Sequence, residues 1–186
     1  TNPAASGTSS GATLLLDGVA TTEYDLGNAS YDSVSFSVAS QDTVPFGLAF
    51  NNDGSKMYTV GNGNDSICQY SLSTAFNLST ASYDSVSFSV TSQDIGPDDI
   101  TFNNDGTKMY MLGGQFDSVY QYSLSTAFNL STASYDSVSF SVASEDGAPT
   151  SIVFNSDGTK MYMVGYNNDS VHQYSTATLA TITYDS

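Results

Sequence analysis

Nine residues, Phe50-Asn51-Asn52-Asp53-Gly54-Ser55-Lys56-Met57-Tyr58, set the architecture of this chain. The pattern returns as Phe102 to Tyr110 and as Phe154 to Tyr162, each time 52 residues further along. Each copy predicts a strand, a tight turn and a second strand, because Asp-Gly tolerates positive φ and Met-Tyr begins a new apolar run. A fixed period of this length is typical of repeat architectures.

Three units follow one another, 31–82, 83–134 and 135–186. Each opens with Tyr-Asp-Ser-Val-Ser-Phe-Ser-Val, in which apolar residues alternate with serine as in a half-buried strand. A proline loop, an apolar strand, the Asp-Gly turn, a further strand, a Gly/Asn loop and a fourth strand complete the unit. Four short antiparallel strands in about 50 residues predict an all-β fold of β-propeller blades. A β-solenoid is the alternative, although its coils usually have about 20–30 residues.

The two ends of the chain depart from this period. Residues 1–11 are small and polar, and we expect a flexible arm there. Residues 12–30 look like a shortened copy of a strand pair, which predicts a partial N-terminal blade. The third unit changes after Tyr174, and Leu179 to Tyr184 are predicted to form a last strand. Since the first residue is Thr1 and not Met, we expect a processed chain or a fragment.

The charge excludes several classes of partner. The chain has 3 basic and 19 acidic residues, a net charge of −16, and all three basic residues are lysines. Nucleic-acid binding is excluded because phosphate contacts need clustered cations, and an anionic membrane would repel the surface. The longest apolar runs are too short to span a membrane, so we expect no membrane insertion. The acidity favours an extracellular or surface-exposed protein, or one that binds divalent cations.

The run from Pro45 to Tyr58 resembles the YVTN-type β-propeller repeats. The second copy replaces the family's glycine with Asp99, and the third copy keeps the pattern less strictly. The resemblance covers residues 31–186, with a weak echo in 12–30. It implies that the Phe-containing strands lie innermost and that the Tyr-Asp-Ser-Val-Ser-Phe strands lie outermost.

Three full units and a partial one leave two assemblies open. The chain closes a compact ring by itself, or it stays an open arc in which each copy completes a blade of its neighbour. An open arc exposes strand edges that pair readily with other chains, and a head-to-tail contact that does not close produces a filament. The sequence therefore predicts self-association as the main partner interaction.

No set of catalytic side chains is visible in the sequence. The only cysteine, Cys68, shares one repeat position with Tyr120 and with the only histidine, His172, which favours a structural role for both. A Ser-His-Asp triad and a zinc site both lack their usual residues. We therefore predict no catalytic residues and no enzyme activity.

Most aspartates recur at fixed repeat positions, which favours hydrogen bonds within turns. The second unit is the exception, because Asp98 and Asp99 replace Phe46 and Gly47. Closely spaced carboxylates suit Ca²⁺, although the spacing matches no EF-hand loop. The candidate metal site consists of four residues: Asp94, Asp98, Asp99 and Asp117.

Variation between the units is concentrated in two loops that open on one face of a propeller. The alternative is drift in tolerant loops. If a ligand such as a glycan binds, we expect it on this face, against Phe116, Tyr166, Asp98 and Asp99. Asn-x-Ser sequons predict a glycoprotein, and the alternative is that they arise by chance in an Asn/Ser-rich chain. They begin at Asn28, Asn64, Asn77, Asn129 and Asn168.

The leading hypothesis from sequence is a non-enzymatic extracellular structural or adhesion protein, acting as a subunit of a fibre or filament. The second hypothesis is a propeller module that binds a glycan or Ca²⁺. The third is a lactonase-type enzyme of the kind found among related propellers, and the scarcity of His and Arg makes it the weakest of the three.

Overall fold

A computed structural model of the chain describes residues 26–177. The chain divides into two compact units, Thr1–Ser33 and Val34–Ser186. The described part of the first unit contains a 3-10 turn, Leu26–Asn28, and the second unit contains every strand of the described range. The predicted arm 1–11, most of the predicted partial blade 12–30 and the predicted strand Leu179 to Tyr184 lie outside the described residues.

Within residues 26–177, eleven strands form three successive antiparallel sheets. Blade 1 contains β1–β4, blade 2 contains β5–β8 and blade 3 contains β9–β11, each in sequence order. The strands β1 to β11 are Pro45–Phe50, Lys56–Gly61, Ser66–Leu72, Ala81–Ser89, Pro97–Phe102, Lys108–Gly113, Ser118–Leu124, Ala133–Ser141, Pro149–Phe154, Lys160–Gly165 and Ser170–Ser175. The predicted all-β class with four-stranded antiparallel sheets is confirmed.

The Phe-containing strands lie on the inner side of the arc, as the resemblance implied. Strand β1 contacts β5, and β5 contacts β9, so these three edge strands adjoin one another. Strands β4 and β8 form the opposite, outer edges of their sheets. Both begin with the last residues of one 52-residue unit and continue into the next, so each complete sheet crosses a unit boundary.

The first copy of the serine-rich motif corrects one prediction. Residues 31–38 were predicted to form a strand, but the structure has none between Ala29 and Val44. In the later copies this motif forms β4 and β8 by pairing with β3 and β7. The first copy has no such partner within residues 26–177, because the sheet that would precede blade 1 is not among them.

The core lies between the blades. Blade 1 contributes Tyr58, Val60 and Ile67 to one cluster, and blade 2 packs against them with Ile100, Met109 and Met111. The same repeat positions form the next cluster, where Leu112 and Val119 of blade 2 meet Ile152, Met161 and Met163 of blade 3. Alternation along each strand directs one set of side chains at the preceding blade and the other set at the following blade.

The Asp-Gly turns connect neighbouring blades as well as neighbouring strands. Asp53 accepts a hydrogen bond from the Ser55 amide at 2.9 Å, and Gly54 adopts a φ of 71°. The Asn52 side chain donates to the Asn104 carbonyl at 2.6 Å, and Asn104 donates to the Ser156 carbonyl at 2.5 Å. One amide ladder therefore runs across all three turns.

Gly113 is required at the end of β6, since a Cβ there would lie 2.2 Å from Asp94 Oδ2. We expect Gly113→Ala to lower the free energy of unfolding by about 1–3 kcal/mol through overpacking. Gly147→Ala is the matched control, because its Cβ would meet nothing nearer than 3.5 Å, and its effect should stay within about 0.5 kcal/mol. Urea unfolding measures both, and equal losses would contradict this packing.

Candidate functional site

The loop face of the described blades is the end of the strands where Gly61, Gly113 and Gly165 lie. On blade 2 it consists of the loop before β5 and the loop between β6 and β7. Asp94 joins these two loops, because its buried carboxylate accepts hydrogen bonds from the amides of Gly96 at 2.8 Å, Gln115 at 3.3 Å and Phe116 at 3.0 Å. Asp146 makes the equivalent bonds in blade 3. As predicted, these recurring aspartates accept hydrogen bonds from the backbone of their turns.

Asp98 lacks the backbone hydrogen bonds that hold Asp94 and Asp146. It is the second residue of β5, and its Oδ2 lies 2.1 Å from where a Cβ on Gly114 would be, so the carboxyl group lies against that glycine. Burial, and then the charges of Asp94 and Asp99, raise the pKa of Asp98 to about 6. No hydrogen bond from residues 26–177 compensates for this, so the carboxyl group is free to exchange a proton.

Asp99 points the other way along the strand and joins two blades. Its Oδ2 accepts from the Ser151 hydroxyl at 2.7 Å and from the Ile152 amide at 3.0 Å, both in blade 3. Its Oδ1 accepts from the Ile100 amide at 2.9 Å. The predicted ligand residue Asp99 is therefore held in a structural bridge, and Asp98 is the free member of the pair.

The four predicted metal ligands do not form a coordination shell. Asp94 and Asp99 are occupied by the hydrogen bonds above, and within residues 26–177 no group of three or more His, Cys, Asp or Glu side chains is placed to hold a metal ion. Asp117 still has a buried Oδ1 without a hydrogen-bond partner. Burial, with the charges of Asp94 and Asp146, raises the pKa of Asp117.

The two predicted aromatic contacts are on the loop face and are accessible. Phe116 is 57 % exposed and Tyr166 is 77 % exposed. Asn64 and Asn168 occupy the repeat position of Phe116, and their side chains donate to the carbonyls of Gln41 and Glu145 in the adjacent loops. Phe116 cannot make that bond, so its loop presents an exposed apolar ring on the loop face.

No cation lies on the loop face of the described blades. All three lysines begin β2, β6 and β10, at the opposite end of the strands. Lys56 pairs with Asp84 at 2.8 Å, Lys108 pairs with Asp136 at 2.7 Å, and Lys160 donates to the Ser175 hydroxyl at 2.8 Å. The charged side chains of this face within residues 26–177 are therefore all acidic.

The sequons lie in three environments. Asn77 and Asn129 cap the 3-10 turns Leu78–Thr80 and Leu130–Thr132 and accept from the amides two residues on. Asn64 and Asn168 already use their side-chain nitrogens within the loop face, and a glycan there would remove those bonds. Asn28 lies in the turn Leu26–Asn28. Glycosylation at these positions stays a prediction.

Sequence reasoning did not predict two cavities between blades 2 and 3. One has a volume of about 320 Å³ and lies beside Phe102, Tyr110 and Phe154 at the turn end of the strands. The other, of about 300 Å³, lies near Phe140 and Met161. In blades 1 and 2, Phe76 and Phe128 lie over the turn glycines, whereas nothing lies within 4 Å of a Cβ built on Gly158. The cavities are away from the loop face.

Cys68 is buried, and this burial raises its thiol pKa. A protonated, inaccessible thiol is a poor nucleophile. His172 is at the equivalent position of blade 3, where its Nε2 is buried without a hydrogen-bond partner. Both observations agree with the structural role predicted for this repeat position.

A membrane-spanning helix would have to be long and continuously apolar, and none of the helices in residues 26–177 meets that requirement.

Comparison with solved structures identifies the architecture. A candidate 6-phosphogluconolactonase from Bacteroides uniformis superposes with a TM-score of 0.55 at 14% identity, covering 70% of this chain and 36% of that one. A candidate 6-phosphogluconolactonase from Bacteroides fragilis gives 0.54 at 17% identity, covering 70% and 37%. The periplasmic gluconolactonase of Pseudomonas aeruginosa gives 0.53 at 14% identity, covering 70% and 36%. This chain has a β-propeller-type fold.

The propeller-type chain spans little more than a third of the length of these structures. No protein-family model matches it, and no curated protein sequence matches it either. The propeller fold is thus confirmed, and the narrower assignment to YVTN-type repeats stays a prediction.

The comparison also corrects the prediction that the protein is not an enzyme. That prediction is contradicted, because three of the propellers similar to this chain have names that describe lactonases. The scarcity of His and Cys speaks only against nucleophile and zinc chemistry, which need those residues. A carboxylate general base needs neither.

The free carboxyl group of Asp98 predicts a pH-dependent penalty on stability. The pKa of Asp98 is raised from 3.8 to about 6 on folding. The resulting penalty on the free energy of unfolding is therefore complete above about pH 6 and fades as pH falls from 6 to 3.8. We expect Asp98→Asn to raise the free energy of unfolding by about 1 kcal/mol at pH 7.5, after allowance for solvent screening. The gain should shrink at pH 5, as measured by urea unfolding. A pH-independent gain would contradict the assigned ionisation.

Proposed function

We propose that this chain is part of a propeller enzyme that hydrolyses a neutral sugar lactone on the loop face of blade 2, with Asp98 as general base. The observation that carries the proposal is the Asp98 carboxyl group, which is half-buried, free of hydrogen bonds within the described range and has its pKa raised to about 6. A general base works best when its pKa is near the operating pH, and perturbed carboxyl groups in recesses are common at catalytic sites.

The proposed reaction balances without a cofactor. Asp98 takes a proton from a water molecule as the water oxygen attacks the carbonyl carbon of the lactone. The ring C–O bond then breaks, and the departing ring oxygen receives the proton from Asp98 to become a hydroxyl group. The product is an open-chain hydroxy acid, which releases its carboxyl proton to bulk water at neutral pH, and Asp98 is again ionised. The acidic surface would repel the anionic product and so favour its release.

The surroundings of Asp98 favour a neutral substrate over a phosphorylated one. The loop face of residues 26–177 has no lysine, so nothing there compensates the charge of a phosphate group. The exposed ring of Phe116 offers an apolar surface on which the face of a sugar ring packs. We therefore choose an unphosphorylated lactone, although two of the similar structures have 6-phosphogluconolactonase in their names.

A divalent cation is the second candidate ligand, because one observation favours it. Asp117 Oδ1 is buried without a partner, and an oxygen in that state is an available ligand. Ca²⁺ binding would then require Asp98 or Asp94 to turn toward Asp117. The predicted glycan ligand, the extracellular location and the adhesion role stay predictions.

The direct test is hydrolysis of glucono-δ-lactone at pH 7, corrected for the spontaneous reaction. We expect turnover by the chain, a loss of about 10²-fold or more in kcat/KM for Asp98→Asn, and partial recovery for Asp98→Glu. Since the base must be ionised, kcat/KM should rise with pH and level off above about pH 6.

The matched control is Asp105→Asn, which removes one negative charge at the opposite end of blade 2. An asparagine oxygen can still accept the Thr107 amide bond that Asp105 accepts at 2.9 Å. This variant should keep full activity. Absence of turnover by the wild-type chain, or an Asp98→Asn variant as active as the control, would contradict the proposal.

A further inference from the structure

The blades of this chain pack by one repeated rule. The trailing face of each blade, formed by Tyr58, Val60 and Ile67 in blade 1, is covered by the leading face of the next blade. Two hydrogen bonds cross the same boundary. Tyr58 Oη donates to the Phe128 carbonyl at 2.5 Å, and Gln69 Oε1 accepts from the Leu130 amide at 2.8 Å.

Blade 3 has a trailing face that nothing in residues 26–177 covers. Val171 is 70 % exposed, whereas Val119 at the same repeat position of blade 2 is 6 % exposed. Val153 and Val164 are exposed on the same blade, while Leu112, the equivalent of Val164 in blade 2, is buried. The face is apolar and uncharged, and it has the composition of the two faces that are covered inside the chain.

Blade 1 has a leading face that is open along its inner part. Leu48 is 58 % exposed, whereas Ile100 at the same position of blade 2 is 3 % exposed. Phe76 is exposed and Leu78 is half-buried, although Leu130, the equivalent of Leu78 in blade 2, is buried against blade 1. The open residues on the two outer blades are therefore the two halves of the contact that occurs twice inside the chain.

The outer edge of blade 3 and the segment before blade 1 match each other in the same way. Strand β11 pairs with β10 and has no outer partner in the described range, whereas β3 and β7 each have one. Residues 34–38 belong to no sheet, yet Phe36 meets the Tyr70 ring at 5.6 Å and 80°. Phe88 of outer strand β4 meets Tyr122 in nearly the same way, at 5.4 Å and 83°. Residues 34–38 thus have the position of an outer strand whose sheet is not among residues 26–177.

We propose that blade 3 of one copy receives residues 34–38 and the leading face of blade 1 from a second copy, head to tail. The β7–β8 register, transferred by the repeat, pairs Val171 with Phe36 and His172 with Ser35 of the second copy. Tyr162 then donates to the carbonyl of Phe76, and Gln173 accepts from the amide of Leu78, both in the second copy. A second copy is the partner because the contact is the one that successive blades already make twice within the chain.

This contact uses two different surfaces, so it propagates. It closes a ring where the rotation per copy allows and otherwise extends into a filament. Each copy has a net charge of −16, so long-range repulsion opposes association and added salt should strengthen it. The contact residues named above are uncharged. The repeat also places Lys160 opposite Asp32 of the second copy, as Lys56 pairs with Asp84 and Lys108 with Asp136, and salt weakens that single pair while it screens the repulsion between whole chains.

A disulfide between copies tests the register. In a Cys68→Ala background, His172→Cys and Ser35→Cys are combined in one chain, and His172→Cys and Ser37→Cys form the matched control. The His172 position already accepts cysteine, since Cys68 occupies it in blade 1. Directly opposed residues have Cβ atoms about 4.5–5.5 Å apart and diagonal ones about 7–8 Å, so the first pair should form a disulfide under mild oxidation and the control should not.

Non-reducing electrophoresis distinguishes the outcomes. Covalent multimers from the first pair and monomers from the control support the proposal. An intrachain disulfide would mean that the chain closes on itself, and equal crosslinking of both pairs would mean that the register is not formed; either result overturns it. Unlinked, folded monomers overturn it as well.

Sedimentation of the unmodified chain is an independent measurement that does not depend on the cysteine variants folding. The wild-type chain should sediment as multiples of 19.6 kDa, more so at 0.5 M salt than at low salt. Val171→Asp should return the mass to that of a monomer, because it places a charge in the apolar contact. Ile95→Asp, the control in an exposed loop of blade 2, should leave the multimer unchanged. A monomeric wild-type chain at all salt concentrations overturns the proposal.

Discussion

The structure depends on one constraint: the trailing apolar face of each sheet is buried only by the next blade. A four-stranded sheet of this size has a small core of its own, and the clusters around Met109 and Met163 both span two blades. Burying an aliphatic side chain contributes about 1.5–3 kcal/mol. Several such residues at each boundary therefore stabilise the fold more than the contacts within the short loops and turns do. The same positions repeat every 52 residues, which is why the stacking continues without a change of geometry.

We propose a function on the loop face because the loops are not packed between blades. Residues that pack between blades are restricted to apolar types, whereas the loops tolerate substitution. The loops of blade 2 differ most from those of the other blades, with Asp98 beside Gly114 and with Phe116 in place of an asparagine. Alternation along β5 then separates the two adjacent carboxylates, so that one joins blades and the other stays free.

Much of this fold follows from the sequence, because the Asp-Gly turn and the apolar strands around it are local signals. The serine-rich motif is different, because a strand forms there only where β3 or β7 offers an edge. No local pattern reveals that residues 31–38 have no such partner within residues 26–177. The distinction between Asp98 and Asp99 could have been predicted from alternation. The raised pKa of Asp98 could not, since it depends on burial in the assembled fold. The exclusion of enzyme activity is contradicted by the lactonase names of similar structures, and it rested on residue types that a carboxylate mechanism does not need.

Backbone amide hydrogen exchange tests the central claim most directly, that each blade owes its order to the blade that covers it. The account predicts the slowest exchange in β6 and β7, which are covered on both faces. It predicts faster exchange in β10 and β11 at low concentration, and slower exchange there once copies associate. Exchange in β11 as slow as in β7, at a concentration where the chain is monomeric, would contradict it, because the blade would then be stable with its trailing face uncovered.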